Sequence, residues 1–192
     1  MTKYLKNILI SGFCAFLGLA IISCNNDSTT TDTTKDSMTV SEKRTDSANV
    51  MNEKDQMFLS DQVGGNYAEI KFTQLAQQKS KSAEIKDVAK FLETEHTNAL
   101  NELKDLAGKK NVSVPSEEPQ DAKDKLKELT DKPANTFDKA WVEELISKHE
   151  KSIAKLEGAD VTDPDLKNWV TNILPKLRIH HDRLMQSHNK VK

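Results

Sequence analysis

Beyond Met51 the apolar and polar positions repeat with a helical period, and four long segments can be read from it. The first spans residues 53–80 and places Phe58, Gln62, Gly65, Glu69, Phe72 and Ala76 at spacings of four and three. The second, 82–107, carries Ile85, Ala89, Leu92, His96, Ala99, Leu103 and Leu106 on one stripe. The third, 136–157, shows Val142, Leu145, His149, Ile153 and Leu156, and the fourth, 164–189, shows Leu166, Val170, Ile173, Leu177, His180 and Leu184. Each apolar seam is narrow, so it can be buried only against other helices. The pattern predicts an all-α domain built as a four-helix bundle.

Local punctuation sets the connectivity. The segment Lys79-Ser80-Lys81-Ser82 is a tight connection with a serine available as N-cap, which predicts an antiparallel first pair. Gly158 is a stop for the third helix, and Asp163-Pro164 supplies a cap and a first-turn proline for the fourth, so these two also pair. Between the pairs, residues 108–135 hold Pro115, Pro119 and Pro133 around a short helical piece at 121–129. One long crossover between two hairpins is the ferritin-like connectivity, with simple up-down-up-down as the alternative. Gly64-Gly65 inside the first helix predicts a close approach or a local bulge, and Pro175 predicts a kink in the fourth. Trp141 and Trp169 read as core or seam-edge residues, and His181 and His188 as outward-facing.

Composition narrows the function classes. Charged residues make up 30% of the 192, with a formal net charge of -2, so there is no basic field to hold nucleic acid. The length allows one domain of ordinary size plus accessory segments. Those segments lie at the N-terminus. Lys3 and Lys6 precede an apolar run at 8–22, which fits a signal-peptide core and is too short for a comfortable membrane span. Ile21-Ile22-Ser23-Cys24 resembles the lipobox of bacterial lipoproteins, which predicts removal of residues 1–23 and lipidation of Cys24. Cys14 leaves with the signal, so the mature chain has no pair of cysteines for a disulfide. Residues 24–52 then form a polar, disordered tether, and 53–192 the bundle. The chain is thereby predicted to be a cell-envelope lipoprotein whose partner is a membrane, reached through lipid on Cys24. Asn25 after the cysteine favours the outer membrane.

The chemistry-bearing residues sit where the seams should be apolar. Glu69, His96, His149 and His180 come one from each helix, about 13–16 residues from its start, or about 20–24 Å along the axis. Mid-helix is the one level preserved whichever way a helix runs, so all four side chains are predicted to share one layer. Buried without partners they would cost several kcal/mol. A single divalent ion of Zn, Fe, Mn or Cu on three imidazoles and a carboxylate would offset that cost; the alternative is a metal-free hydrogen-bonded layer in a structural or interaction module. Glu93-Thr94-Glu95-His96 is an E-x-x-H, which makes Glu93 a possible additional ligand, although on a helix this acidic it reads first as a solvated charge. The motif occurs once, with Ile146 and Leu177 at the matching places before His149 and His180, so a di-iron ferroxidase centre is not supported. Nothing in the chain resembles a Ser-His-Asp set, a phosphate-binding glycine loop or a reactive cysteine.

Residues 57–186 resemble the bacterial domain-of-unknown-function 4142 family. The resemblance rests on Phe58-Leu59, Gly64-Gly65 followed by Glu69, Leu75-Ala76 with Lys79, Glu95-His96-Thr97, Leu103, Leu106-Ala107 and Val114-Pro115. It continues through Phe137-Asp138, His149-Glu150-Lys151 and Leu174-Pro175-Lys176-Leu177 ahead of His180. It implies a ferritin-like helical bundle on an exported or lipid-anchored protein, with no settled activity, and its motif positions are again Glu69, His96, His149 and His180. Glu95 and Lys148 stand where the family commonly has an aspartate before histidine, and His181 where an apolar residue is usual. The lysine removes a carboxylate that would otherwise orient His149.

Overall fold

The structure, a computed structural model, describes residues 50–191; the predicted signal peptide, Cys24 and residues 25–49 of the tether lie outside them. Five helices and no strand occur among the described residues: α1 (Glu53–Lys79), α2 (Ala83–Lys110), α3 (Gln120–Asp131), α4 (Ala134–Glu157) and α5 (Pro164–His188). None is long and apolar enough to cross a membrane. Met51, assigned to the tether on composition, is buried in the core, and the Asn52 side chain accepts from the Asp55 N–H as N-cap of α1.

The caps anticipated from sequence are in place at two helix starts. The Ser82 side chain accepts from the Ile85 N–H, and Asp163 accepts from the Asp165 and Leu166 N–H groups ahead of Pro164. α2 runs past the expected end at residue 107 to Lys110, because Asn111 takes up the left-handed conformation (φ 54°) that closes it. α4 starts two residues before the predicted Thr136, directly after Pro133.

Cross-helix bonds fix the packing. Gln77 and Gln74 reach Glu93 while Asn66 reaches His96, so α1 and α2 are antiparallel. Arg178 on Glu157 and His188 on Glu143 give the same result for α4 and α5. Lys54 on Asp160 and Lys155 on Asp61 run α1 against α4, and Lys190 on Glu84 with Lys110 on Asp165 run α2 against α5. Each long helix therefore opposes both of its neighbours. α2 and α4 point the same way, so the crossover travels the length of the bundle, and its helix α3 packs on α1 and α4 through Ala122 and Leu129.

The seven predicted stripe residues of α2 are all buried. The first half of α1 departs from expectation: the buried positions there include Asp55, Leu59 and Val63, while Phe58 and Gln62 are half-exposed and Gly65 exposed. α1 meets α2, α4 and the crossover together, so its buried surface is not one stripe. It is unbroken at Gly64-Gly65, which removes the predicted bulge. A Cβ on Gly64 would touch Pro119 at 3.6 Å and Pro115 at 3.8 Å, so the close approach there is made by the crossover. α5 is one uninterrupted helix through Pro175, which is exposed, as is Thr171 one turn earlier, whose carbonyl loses its helical donor to the proline.

Two features lock the ends. Asp55 is fully buried and accepts from the Thr162 N–H and hydroxyl, the Asp163 N–H and the Asn52 amide, tying the start of α1 to the start of α5. Burial alone would raise its pKa, but these donors together hold it below the usual aspartate value. Lys110 closes the same end by pairing with Asp163 and Asp165, each at 2.9 Å. Toward the other end the Trp141 indole donates to the Phe72 carbonyl at 2.9 Å, joining α4 to α1. Replacing Asp55 with Ala strands several donors at once and is expected to cost about 2–4 kcal/mol in urea unfolding, with the helical spectrum kept. A loss below about 0.5 kcal/mol would show that this end is held by apolar packing alone.

Candidate metal centre

The apolar core is in two parts, and a polar layer separates them. One part holds Leu59, Val63, Leu103, Leu166 and Ile173; the other holds Phe72, Leu92, Trp141, Leu145 and Leu184. Between them on their helices lie Glu69, His96, His149 and His180, each at most 7% exposed. The three imidazoles form a near-equilateral triangle, with ring centroids 5.5 Å (His96–His149), 5.2 Å (His96–His180) and 5.5 Å (His149–His180) apart. One nitrogen from each lies within 4.8 Å of the other two.

Two of the rings have their tautomer set by neighbours. The Asn66 amide donates to the Gln62 carbonyl at 2.8 Å, which turns its Oδ1 toward His96 Nδ1 at 2.9 Å. An oxygen there can only accept, so His96 carries its proton on Nδ1 and leaves a lone pair on Nε2. His149 does the same against the Leu145 carbonyl at 2.9 Å. Both Nε2 atoms are buried and without a hydrogen-bond partner, as are both ring nitrogens of His180. Phe91 packs against His180 in a T-shaped contact at 5.5 Å, and the Arg183 guanidinium lies over the phenyl ring.

Electrostatics keep these rings neutral. Burial pulls His149 down to about 4 and His180 to about 3, and holds His96 well below the ordinary imidazole range, with the neighbouring rings and cations adding to the effect. Burial pushes Glu69 up to about 7, against the pull of Lys148 and with a smaller push from Glu144. Glu69 Oε2 stands 4.0 Å from His96 Nε2, beyond hydrogen-bond reach, and Lys148 Nζ is 4.0 Å from Glu69 Oε1.

Of the residues expected from sequence, the three histidines converge and Glu69 stands at their edge. Glu93 does not join them: its two oxygens accept from Gln74 and Gln77, which hold it against α1. Cys24 is outside the described residues. Trp169 is in the core as expected and also lines the cavity beside the histidines, together with Gln62, Gly65, Glu95 and Lys148. Asn66 escaped the sequence reading although it lies one turn before Glu69; the misplaced phase of early α1 hid it. His181 and His188 are partly exposed beside Glu150 and Glu143. With Lys148 facing Glu69, the orienting acceptor for His149 comes from its own helix, at Leu145.

The donor set suits a transition metal. Three neutral imidazoles offer lone pairs without a competing proton, and roughly 2.0–2.1 Å bonds require only a modest inward shift of the rings. For the chain stripped of metal, acid should be destabilising. The unfolded imidazoles take up protons near pH 6.5, whereas folded His149 and His180 stay neutral to about 4 and about 3. Their contribution is complete above pH 6.5 and is lost as the pH falls toward 4. Glu69 acts oppositely, its contribution present below 4.5 and lost as the pH rises to about 7, so one group opposes three. The melting temperature of the stripped chain should fall from pH 7 to pH 5, and fall less in His149→Leu. Equal melting of both proteins across that range would contradict the buried-neutral assignment.

A family model described as Domain of unknown function (DUF4142) matches residues 40–186, beginning further toward the N-terminus than the motifs quoted above. No curated protein and no solved structure gives a significant match. With more than half of its length matched, the chain belongs to the DUF4142 family.

Proposed function

We propose that this domain binds one divalent transition metal ion through His96, His149 and His180, with Glu69 as a fourth ligand. The observation that carries the reading is the set of buried ring nitrogens without partners at one level of the bundle. A metal-free layer is the rival. Protonated Glu69 could close its 4.0 Å gap and donate to His96, but His149 Nε2 and both nitrogens of His180 would remain stranded, each at a cost of about 1–3 kcal/mol. One cation satisfies a lone pair on every ring. With no thiolate in the set, Zn, Fe, Mn and Cu are the candidate ions.

Two antiparallel hairpins joined by a crossover along the bundle support a ferritin-like arrangement with a mononuclear centre in place of a di-iron one. The role we assign is metal handling or oxidative-stress defence at the cell envelope, with the domain held to a membrane, preferably the outer one, by lipid on Cys24.

Elemental mass spectrometry on the purified full chain should find close to one transition metal per chain, lost in a His96→Ala, His149→Ala double variant. Adding the metal at 100 times its Kd should stabilise the stripped wild type by about 2.7 kcal/mol and leave the double variant unchanged. A wild-type chain without metal that takes up none of Zn, Fe, Mn or Cu would exclude this function. His149→Leu adds a second discriminator: a metal site loses its ion, whereas a merely structural layer gains from the apolar replacement.

A further inference from the structure

The cavity at the histidines is larger than an ion alone requires. At about 70 Å³ it admits several water-sized groups, each needing roughly 10–15 Å³. Its walls beyond the imidazoles include Glu69, Lys148, Ser152 and Trp169. The indole N–H of Trp169, a residue only 8% exposed, donates to nothing. Lys148 brings an ammonium within 4.0 Å of the Glu69 carboxylate, and its own side chain is 26% exposed. The wall thus combines a cation and an unused donor with two members of the histidine cluster, His96 and His180.

Gly65 and Lys148 border this cavity and also an outer cleft of about 650 Å³ beneath the Pro115 to Lys123 part of the crossover. A Cβ at Gly65 would meet nothing within 4 Å, so packing does not demand a glycine there. Its lack of a side chain leaves the boundary between cleft and cavity low. Charge balance supplies an independent argument. A divalent ion on three neutral rings would place two positive charges in a low-dielectric layer, and with a carboxylate at Glu69 set against the ammonium of Lys148 that excess of positive charge remains. A small anion beside the metal would lower it.

Resting on the metal assignment above, we propose that the metal keeps an open coordination position toward this cavity and binds a small monovalent anion of azide or hydroperoxide size. The anion enters between Gly65 and Lys148 and is held by the Lys148 ammonium as well as by the metal.

The test uses the full chain loaded with Cu(II), its copper content measured, and titrated with sodium azide while the azide-to-copper charge-transfer band is recorded. The wild type should show a saturable band. Lys148→Met should raise the azide Kd about tenfold at low ionic strength, and Gly65→Phe should slow the appearance of the band about tenfold or more, both with copper content and helicity unchanged. A copper-loaded chain whose spectrum azide does not alter overturns the open position while leaving the metal assignment standing. Variants that titrate with wild-type affinity and rate overturn the entry route and the ammonium's role. A chain that holds no copper or other metal overturns the metal assignment and this proposal with it, and the copper measurement separates that failure from the others.

Discussion

Taking an imidazole nitrogen out of water without giving it a partner costs about 1–3 kcal/mol, and this bundle does so at one level on three helices at once. The remainder of the domain holds that level fixed. Apolar packing above and below it brings the helices into register. Asp55 and Lys110 lock one end through charged hydrogen bonds, and the Trp141 indole ties α4 to α1 on the other side of the layer. An axial slip of any one helix would carry its ring out of the layer, so the central triangle depends on the end clamps.

Much of the fold follows from local pattern. α2 packs against α1 and α5 along a single seam, and its period of apolar residues names its buried face correctly from Ile85 to Leu106. The caps at Ser82 and Asp163 are equally local, since a side-chain oxygen meets an amide two or three residues on. α1 is different. It is covered by α2, α4 and the crossover, and its buried set includes Asp55, Asn66 and Thr73, polar residues that a hydrophobic period passes over. The close approach at Gly64 likewise depends on two prolines about 50 residues further along the chain, which no local window contains.

The site was legible as far as phase and depth reach. Those two criteria select His96, His149 and His180, which the structure brings together, and Glu69, which it places 4.0 Å from His96. The E-x-x-H spacing does not by itself bring Glu93 into the layer: three residues is just under one turn, enough to rotate the carboxylate from the core toward the glutamines of α1. The groups that set the rings' protonation could not be read from one helix alone. Asn66 acts on His96 from the neighbouring helix, and Lys148 meets Glu69 across the α1–α4 contact.

The three histidines are not equivalent. His96 and His149 each present one determined nitrogen, because a carbonyl oxygen or an amide oxygen holds the other. His180 has neither nitrogen engaged and only an aromatic edge beside it. No hydrogen bond therefore fixes which of its nitrogens carries the proton. Two corners of the triangle are set by their neighbours and the third is not, so an ion bound there would itself choose the donor atom of His180.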